Sequence, residues 1–223
     1  MNFLKWKKKA CIFEIFGCIQ YMILIFTAML FYTGGTVDDP SVQGYLFWGN
    51  SLSDLGRTIA YSGQINTVSM VIFSFTLFLW AISMIPFYLV LLSLFNETRM
   101  QKRLCLVGTV FAIIAAISLV GISFMPDDIL DGPHMIFVYI GYASLVIVGA
   151  MYSTVFYSDK EFPKIFAYIF IIFTIVHFIT SIMGLIGLAS LNNLMVIGQK
   201  IGRFTTVICF AIVAYGVLKQ KKS

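Results

Sequence analysis

The stretch that decides the fold is residues 165–189, which read IFAYIFIIFTIVHFITSIMGLIGLA. It contains no Asp, Glu, Lys or Arg, and as an α-helix rising about 1.5 Å per residue it is long enough to cross the ~30 Å hydrocarbon core of a bilayer. A strand of a membrane barrel would alternate apolar and polar residues over about ten positions, whereas residues 165–173 are apolar or aromatic without interruption. The stretch therefore predicts a transmembrane helix.

Similar runs of about 20 mostly apolar residues recur along the chain. With the first stretch they predict six spans, at about residues 10–32, 67–95, 104–124, 135–157, 165–189 and 194–218. The composition agrees, because 60% of the 223 residues are hydrophobic and 11% are charged, against roughly a quarter charged in a soluble domain. We expect an all-α integral membrane protein, a single six-helix transmembrane domain over residues 1–223 with a long first extracytoplasmic loop. A water-soluble globule and a disulfide-stapled secreted domain are excluded.

Lys and Arg divide unevenly between the two sets of alternate connections. One set, with the termini, holds Lys5, Lys7, Lys8, Lys9, Arg99, Lys102, Arg103, Lys160, Lys164, Lys219, Lys221 and Lys222; the other holds Arg57, Lys200 and Arg203. By the positive-inside rule both termini are expected to be cytoplasmic, with the chain a multi-pass protein of the cell membrane. The net charge of +5 then reflects topology and anionic lipids. No nucleic-acid partner is expected, since no basic patch is organised with base-stacking aromatics.

The first outer connection, residues 33–66, is far longer than the others. Its aromatic residues of the type that favours the membrane interface are Tyr45, Phe47 and Trp48. We expect one or two short helices across the outer face, with a break at Gly49 and Asn50 and with Ser53 or Asp54 as an N-cap. Such a segment is either a plain interfacial cover or a loop with a functional role.

Lys200 and Arg203 are the most informative charges. The 16 residues from Arg203 to Leu218 are too few to cross the hydrocarbon core, so the last helix must begin near residue 194 and hold both cations at or below the outer interface. They lie three residues apart, share a face, and are expected to face inward towards outer carboxylates, of which Asp54, Asp127 and Asp128 are nearest to helix ends. The two cations therefore belong either to a structural salt-bridge network or to a site that binds an anionic headgroup or carboxylate.

The histidines and the remaining acid of the spans are interpreted separately. His134 lies at the outer start of the fourth span, from which it can reach the same polar cluster. His177 lies mid-helix beside Thr180 and Ser181, which favours hydrogen bonding between helices over a proton-relay role. Glu14 lies about one turn past Lys9, so we expect its carboxylate to reach towards the lysines.

A polar stripe runs along the second span with alternating spacings of three and four, so it is expected to face the bundle interior. Its members are Asn66, Ser69, Phe73, Thr76, Trp80 and Ser83. Bundle packing or an outward-opening cavity would account for it. Pro86 is expected to kink or end this helix. The four cysteines, Cys11, Cys18, Cys105 and Cys209, are expected to be free thiols because none lies in the outer loops.

Four short motifs resemble the DUF998 family of six-helix membrane proteins, which is in turn similar to the Frag1/DRAM/Sfk1 group. They are Asn50-x-x-Ser53-Asp54-Leu55-Gly56, Asn66-x-x-Ser69-x-x-x-Phe73, Gly121-x-x-Phe124-Met125-Pro126-Asp127-Asp128 with His134, and Gly198-Gln199-Lys200-Ile201. The resemblance implies a six-helix fold with its characteristic residues on the outer side, and no established reaction. The chain departs from it at Gln199 and Lys200, where the family more often has a Glu-Arg pair.

Two functions compete at this stage. The first is a membrane protein that binds a lipid headgroup or small amphiphile in an outer polar pocket, with membrane lipids as partners and no cofactor. The alternative is a membrane-embedded lipid hydrolase, either metal-dependent or acid/base, in which an Asp with His134 binds the metal or acts as general base and Ser53 is a lesser candidate nucleophile. The candidate ligand-binding residues are Asn50, Ser53, Asp54, Asn66, Asp127, Asp128, His134, Lys200 and Arg203. No catalytic residue and no protein partner is assigned, and no metal site is expected because only His134 is available at that depth.

Overall fold

The computed structural model describes residues 3–95, 97–190 and 193–220. These form six long helices: α1 Phe3–Leu30, α2 Thr67–Leu94, α3 Arg99–Phe124, α4 Asp127–Ser158, α5 Ile165–Ser190 and α6 Leu194–Lys219. All six are long and apolar enough to cross a membrane, and no strand is found within the described ranges. The predicted fold class, an all-α six-helix membrane bundle, is confirmed.

The six helices form a closed ring. Each packs against its neighbours in the chain, and α1 also packs against α6. Lys7 Nζ donates to the carbonyl oxygen of Gln220 at 2.8 Å, so the beginning of α1 and the end of α6 meet at one end of the bundle. We call this the terminal end. The opposite end carries residues 31–66, which join α1 to α2 and are called the cap.

The helices extend beyond the apolar runs that predict them. α1 begins at Phe3 and α4 at Asp127, where hydropathy places the spans at 10 and 135, because polar residues continue a helix outside the hydrocarbon core. Leu130 interrupts α4 with φ −127° and ψ 44°, close before Pro133, which has no N–H for a helical hydrogen bond. By contrast, α2 continues through Pro86 to Leu94.

The cap contains a 3₁₀ helix, Ser53–Gly56, whose N-cap is Leu52. The predicted N-cap at Ser53 or Asp54 is therefore wrong, since both residues lie inside the turn and their side chains bond elsewhere. The start of α2 holds this turn in place: Asn66 Nδ2 donates to the carbonyl oxygens of Leu55 and Arg57 at 3.2 and 3.0 Å. These bonds tether the middle of the cap to α2.

The polar stripe of α2 faces the interior, as its spacing predicts. All six members are buried, and the groups that they contact differ along the helix. Ser69 Oγ donates to the Leu55 carbonyl at 3.1 Å, Trp80 and Ser83 contact Glu14, and Phe73 lines a cavity described below. The stripe therefore serves packing, cap attachment and a cavity wall.

The expectation that Glu14 reaches towards the lysines is wrong. Its side chain is 0% exposed and accepts hydrogen bonds from Ser83 Oγ at 2.8 Å, Trp80 Nε1 at 3.3 Å and Cys18 Sγ at 3.5 Å. A buried carboxylate needs fixed hydrogen-bond donors, and here α2 and the next turn of α1 supply these donors in place of the lysines. The hydrogen bond expected of His177 is present, between Nε2 and Thr206 Oγ1 on α6 at 2.6 Å.

Candidate functional site at the cap end

Ser53 is the point where the cap, α4 and α6 meet. Its Oγ lies 3.1 Å from His134 Nε2 and 3.1 Å from Gln199 Nε2. His134 Nδ1 lies 2.6 Å from the carbonyl oxygen of Met125, and Gln199 Oε1 accepts from the Leu52 N–H at 2.6 Å. The side chains of His134 and Gln199 are therefore both held in one orientation by backbone groups.

Lys200 is 1% exposed and is held by the cap. Its ammonium donates to the carbonyl oxygen of Asn50 and lies 5.4 Å from the ring centroid of Tyr45 and 5.3 Å from that of Phe47. An ammonium over aromatic faces is stabilised by the ring quadrupole. Two of the three aromatic residues that the sequence assigns to the interface, Tyr45 and Phe47, thus lie against a buried cation.

Arg203 lies one turn deeper in α6 and is 8% exposed. Its guanidinium carbon is 5.6 Å from the ring centroid of Trp80 and 5.8 Å from that of Tyr142. It lines a small cavity beneath the cap together with Ser53, Gln199 and seven residues of mainly apolar character. The free volume of this cavity is about 10 Å³, at the lower limit of what one water molecule needs.

The expected direct pairing of Lys200 and Arg203 with outer carboxylates is wrong. In the described part of the chain no carboxylate oxygen lies within 4.0 Å of either cation, and the one ion pair found there joins Arg57 to Asp127 at 3.2 Å. The physical reason is that a backbone carbonyl of the cap and several aromatic rings occupy the positions next to the two cations. By hydrogen bonds Lys200 is linked to Asp54 through Asn50, and the two charges also interact across space.

Each nearby acid instead has donors of its own. Asp54 accepts from Asn50 Nδ2 at 2.9 Å and from the Ser51 N–H and hydroxyl at 2.9 and 2.6 Å. Asp128 accepts from the Thr58 N–H at 3.0 Å and from its hydroxyl at 2.5 Å. Asp127 and Asp128, at the start of α4, therefore fasten the end of the cap and do not contact the two cations of α6.

Asp54 is buried in the cap, and its ionisation is affected accordingly. Burial raises the pKa of this carboxyl above its ordinary value, while the hydrogen bonds from Ser51 and Asn50 oppose the rise. Asn50 is the centre of this part of the cap: its Oδ1 accepts from the Leu46 N–H at 2.9 Å and its Nδ2 also donates to the Gly35 carbonyl at 2.8 Å. Asn50 thereby fixes the carbonyl group that binds Lys200.

The structure thus sorts the predicted site residues into two groups. In the first group Asn50, Asp54 and Lys200 are joined by hydrogen bonds, Ser53 is joined to His134, and Arg203 lines the cavity beside Ser53. The residues that instead attach the cap to the helices are Asn66, Asp127 and Asp128.

Two residues of the site carry no signal in the sequence pattern. Tyr21 of α1 and Tyr142 of α4 both line the cavity and lie in otherwise apolar runs. The Tyr142 hydroxyl donates to the carbonyl oxygen of Gln199 at 3.2 Å, whereas the buried Tyr21 hydroxyl has no hydrogen-bond partner among the residues that the structure describes. Gln199 itself entered the sequence argument only through a family motif.

The described residues contain no group of three or more His, Cys, Asp or Glu side chains that could hold a metal ion. Comparison with family models, curated proteins and solved structures finds no match to the chain.

Proposed function

We propose that the protein binds the anionic headgroup of a membrane lipid, or a small anionic amphiphile, in the cavity beneath the cap, with Arg203 as the principal anion ligand. The observation that carries the proposal is the guanidinium itself. Arg203 is 8% exposed as a residue, its side chain lines the cavity, and its guanidinium lies near the rings of Trp80 and Tyr142 but makes no hydrogen bond to any side chain or backbone group in the described ranges. A guanidinium has five N–H donors, and leaving such donors unpaired inside a protein is costly.

A second unpaired donor lines the same cavity. The Tyr21 hydroxyl is buried without a hydrogen-bond partner in the described part of the chain, and Tyr21 forms part of the wall together with Arg203. Two donors without acceptors around one space favour a ligand that brings acceptor oxygens, such as a phosphate or carboxylate.

The local charge balance supports an anion as well. Asp54, Asp127 and Asp128 each accept hydrogen bonds from cap or helix groups, which leaves Lys200 and Arg203 without a contacting carboxylate among the described residues. Two buried cations at one end of a bundle raise the local potential and favour uptake of a negative group.

The cavity in this structure is close to the size of one water molecule. A headgroup can enter only if the cap moves away from α6. This movement requires breaking hydrogen bonds such as those that join Gln199 to Leu52 and to Ser53. The proposal therefore requires a movement of the cap that enlarges the cavity.

The test is native mass spectrometry of the purified chain mixed with phosphatidylglycerol, with phosphatidylcholine or with dodecyl phosphate. Wild type is expected to retain phosphatidylglycerol over phosphatidylcholine, and Arg203→Gln to lose this preference. Arg57→Gln is the matched control, because it removes the same charge at the same end, from a residue paired with Asp127 and outside the cavity wall. Retention of dodecyl phosphate alone would assign the site to a small amphiphile. Equal retention by wild type and Arg203→Gln would refute the proposal.

We also propose that the chain lies in the cell membrane with both termini in the cytoplasm, which places the cap outside. The support is the twelve-to-three asymmetry of Lys and Arg in the sequence. In a cysteine-free background, Gln43→Cys should react with a membrane-impermeant maleimide from outside and Ser223→Cys only after permeabilisation. The reverse pattern would invert the topology.

The resemblance to the DUF998 family is likewise proposed as a relationship. Its support is that Ser53, Asn66, His134 and Gln199, one from each of the four motifs, all lie at the cap end and bond within or around the cap.

A further inference from the structure

We propose that Ser53 and His134 form a nucleophile–base pair that cleaves a carboxylic ester of an anionic lipid held in the same cavity. The inference rests on the proposed anion site, because Arg203 is the group that would bind the lipid's negative charge next to Ser53.

The positions of the protons follow from the hydrogen-bond partners. The Met125 carbonyl oxygen can only accept, so His134 Nδ1, 2.6 Å away, carries a proton. In the neutral imidazole Nε2 is then an acceptor, and the Ser53 hydroxyl, 3.1 Å away, donates to it. This is the tautomer that a general base needs, with the backbone carbonyl in the orienting position that a carboxylate occupies in many hydrolases.

Gln199 completes the arrangement around the serine oxygen. Its Oε1 accepts from the Leu52 N–H, which identifies the other amide atom as the nitrogen that donates to Ser53 Oγ at 3.1 Å. Ser53 Oγ therefore accepts one hydrogen bond and donates one, and the bond it donates points at the base. When a substrate displaces the hydrogen bond between Gln199 and Ser53 Oγ, the Gln199 N–H is free to donate to a developing oxyanion.

The serine also has access to space. Ser53 lines the cavity with Gln199 and Arg203, whereas His134 is 1% exposed and is not part of the cavity wall. The nucleophile thus lies between a shielded base and the place where a substrate carbonyl would enter. A serine that was only a packing contact would not need this boundary position.

The chemistry is a two-step acyl transfer to water. The Ser53 hydroxyl proton passes to His134 Nε2 as Oγ bonds to the ester carbonyl carbon; the bond from that carbon to the glycerol oxygen then breaks, and this oxygen takes the proton from His134. A water molecule attacks the acyl-Ser53 carbonyl and gives a proton to His134; the bond to Ser53 Oγ breaks, Oγ recovers the proton, and a fatty acid leaves. The net reaction is ester plus water to acid plus alcohol.

The substrate class follows from the wall of the cavity. Arg203 favours a phosphate or carboxylate near the scissile ester, and the position of the site at one end of a membrane-spanning bundle favours a lipid over a soluble ester. An ester of an anionic phospholipid or of a comparable anionic amphiphile meets both conditions.

The experiment is labelling of the full-length chain in detergent with an alkyl fluorophosphonate, followed by peptide mass spectrometry. Wild type is expected to be modified at Ser53, and phosphatidylglycerol vesicles carrying the protein should release fatty acid. His134→Gln should slow labelling by about 10² to 10⁴, the usual contribution of a general base. Ser69→Ala is the matched control, because Ser69 is a buried serine at the same end that bonds only to the Leu55 carbonyl among described groups, and it should label at the wild-type rate.

The outcomes separate this inference from the proposed function. Ser53→Ala should still retain phosphatidylglycerol while releasing no fatty acid. Retention by a wild type that does not label overturns the reaction and leaves the binding function intact. Labelling of wild type at a different serine, or equal labelling of His134→Gln, also overturns it. Labelling at Ser53 without lipid retention supports the pair and refutes the proposed ligand. The site of labelling in wild type needs no variant, so it remains decisive if Ser53→Ala or His134→Gln fails to fold.

Discussion

Replacing Glu14 by Gln is expected to leave the protein almost as stable as wild type, whereas replacing it by Ala is expected to be strongly destabilising. The difference follows from which oxygen each donor reaches. Trp80 Nε1 and Cys18 Sγ both contact Oε1, at 3.3 and 3.5 Å, while Ser83 Oγ contacts Oε2 at 2.8 Å.

In Glu14→Gln the amide oxygen can occupy the Oε1 position and keep both of its donors. The amide nitrogen then replaces Oε2 and donates to Ser83 Oγ. The Ser83 proton turns to the carbonyl oxygen of Trp80, which already lies 2.8 Å away. Every group that bonds to Glu14 in wild type keeps a partner and the volume is unchanged, so the remaining cost is that of the second amide N–H, about 1 kcal/mol.

In Glu14→Ala the Trp80 N–H is left without an acceptor in the bundle interior, which costs about 1–3 kcal/mol. Loss of the buried side chain also leaves a cavity, and truncations of this size cost about 2–5 kcal/mol in protein cores. We expect a combined loss of about 3–8 kcal/mol. Ser83 does not add to this sum because it keeps its bond to the Trp80 carbonyl.

The assay is equilibrium unfolding of both variants and wild type in mixed micelles, followed by Trp fluorescence with thermal unfolding as a second readout. Glu14→Gln should unfold within a few degrees of wild type and Glu14→Ala well below it. Equal, large losses in both variants would mean that the negative charge itself holds the helices. No loss in Glu14→Ala would mean that these hydrogen bonds contribute no net stability, and the reasoning would be refuted.

Three further predictions concern ionisation, packing and thiols. Because burial raises the pKa of Asp54, the folded state binds more protons than the unfolded state, so stability should fall as pH rises from about 4 through the raised value; Asp54→Asn should flatten this slope in thermal unfolding, and an unchanged slope would contradict it. A Cβ at Gly17 would lie 2.0 Å from Ser83 Oγ, so Gly17→Ala should cost about 1–3 kcal/mol, and less in a Ser83→Gly background; equal costs in both backgrounds would show that α1 and α2 do not meet there. All four cysteines are buried and free, so alkylation of the unfolded chain should count four thiols with and without reductant, and a bridged pair would show a wrong helix placement.

Several features of this protein are determined by the sequence alone because a bilayer imposes a simple physical requirement on it. A span needs about 20 apolar residues, so hydropathy locates six helices. The same length argument places Lys200 and Arg203 inside the last helix, where the structure has them buried. The three-and-four spacing along α2 is also sufficient to predict which face is buried, since only one face of a helix repeats with that period.

The partners of the polar groups were decided only by the tertiary structure. Ser53 meets His134 and Gln199 across sequence separations of 81 and 146 residues, and a local pattern does not encode which distant side chain arrives. Lys200 binds a backbone carbonyl, a group that every residue carries and that no sequence motif marks. A buried charge is stabilised by whichever hydrogen-bonding groups the fold places within about 3 Å of it. Sequence could therefore predict that these cations lie in the bundle. Only packing of the cap against α6 could decide that Arg203 faces a cavity and makes no hydrogen bond to a described group.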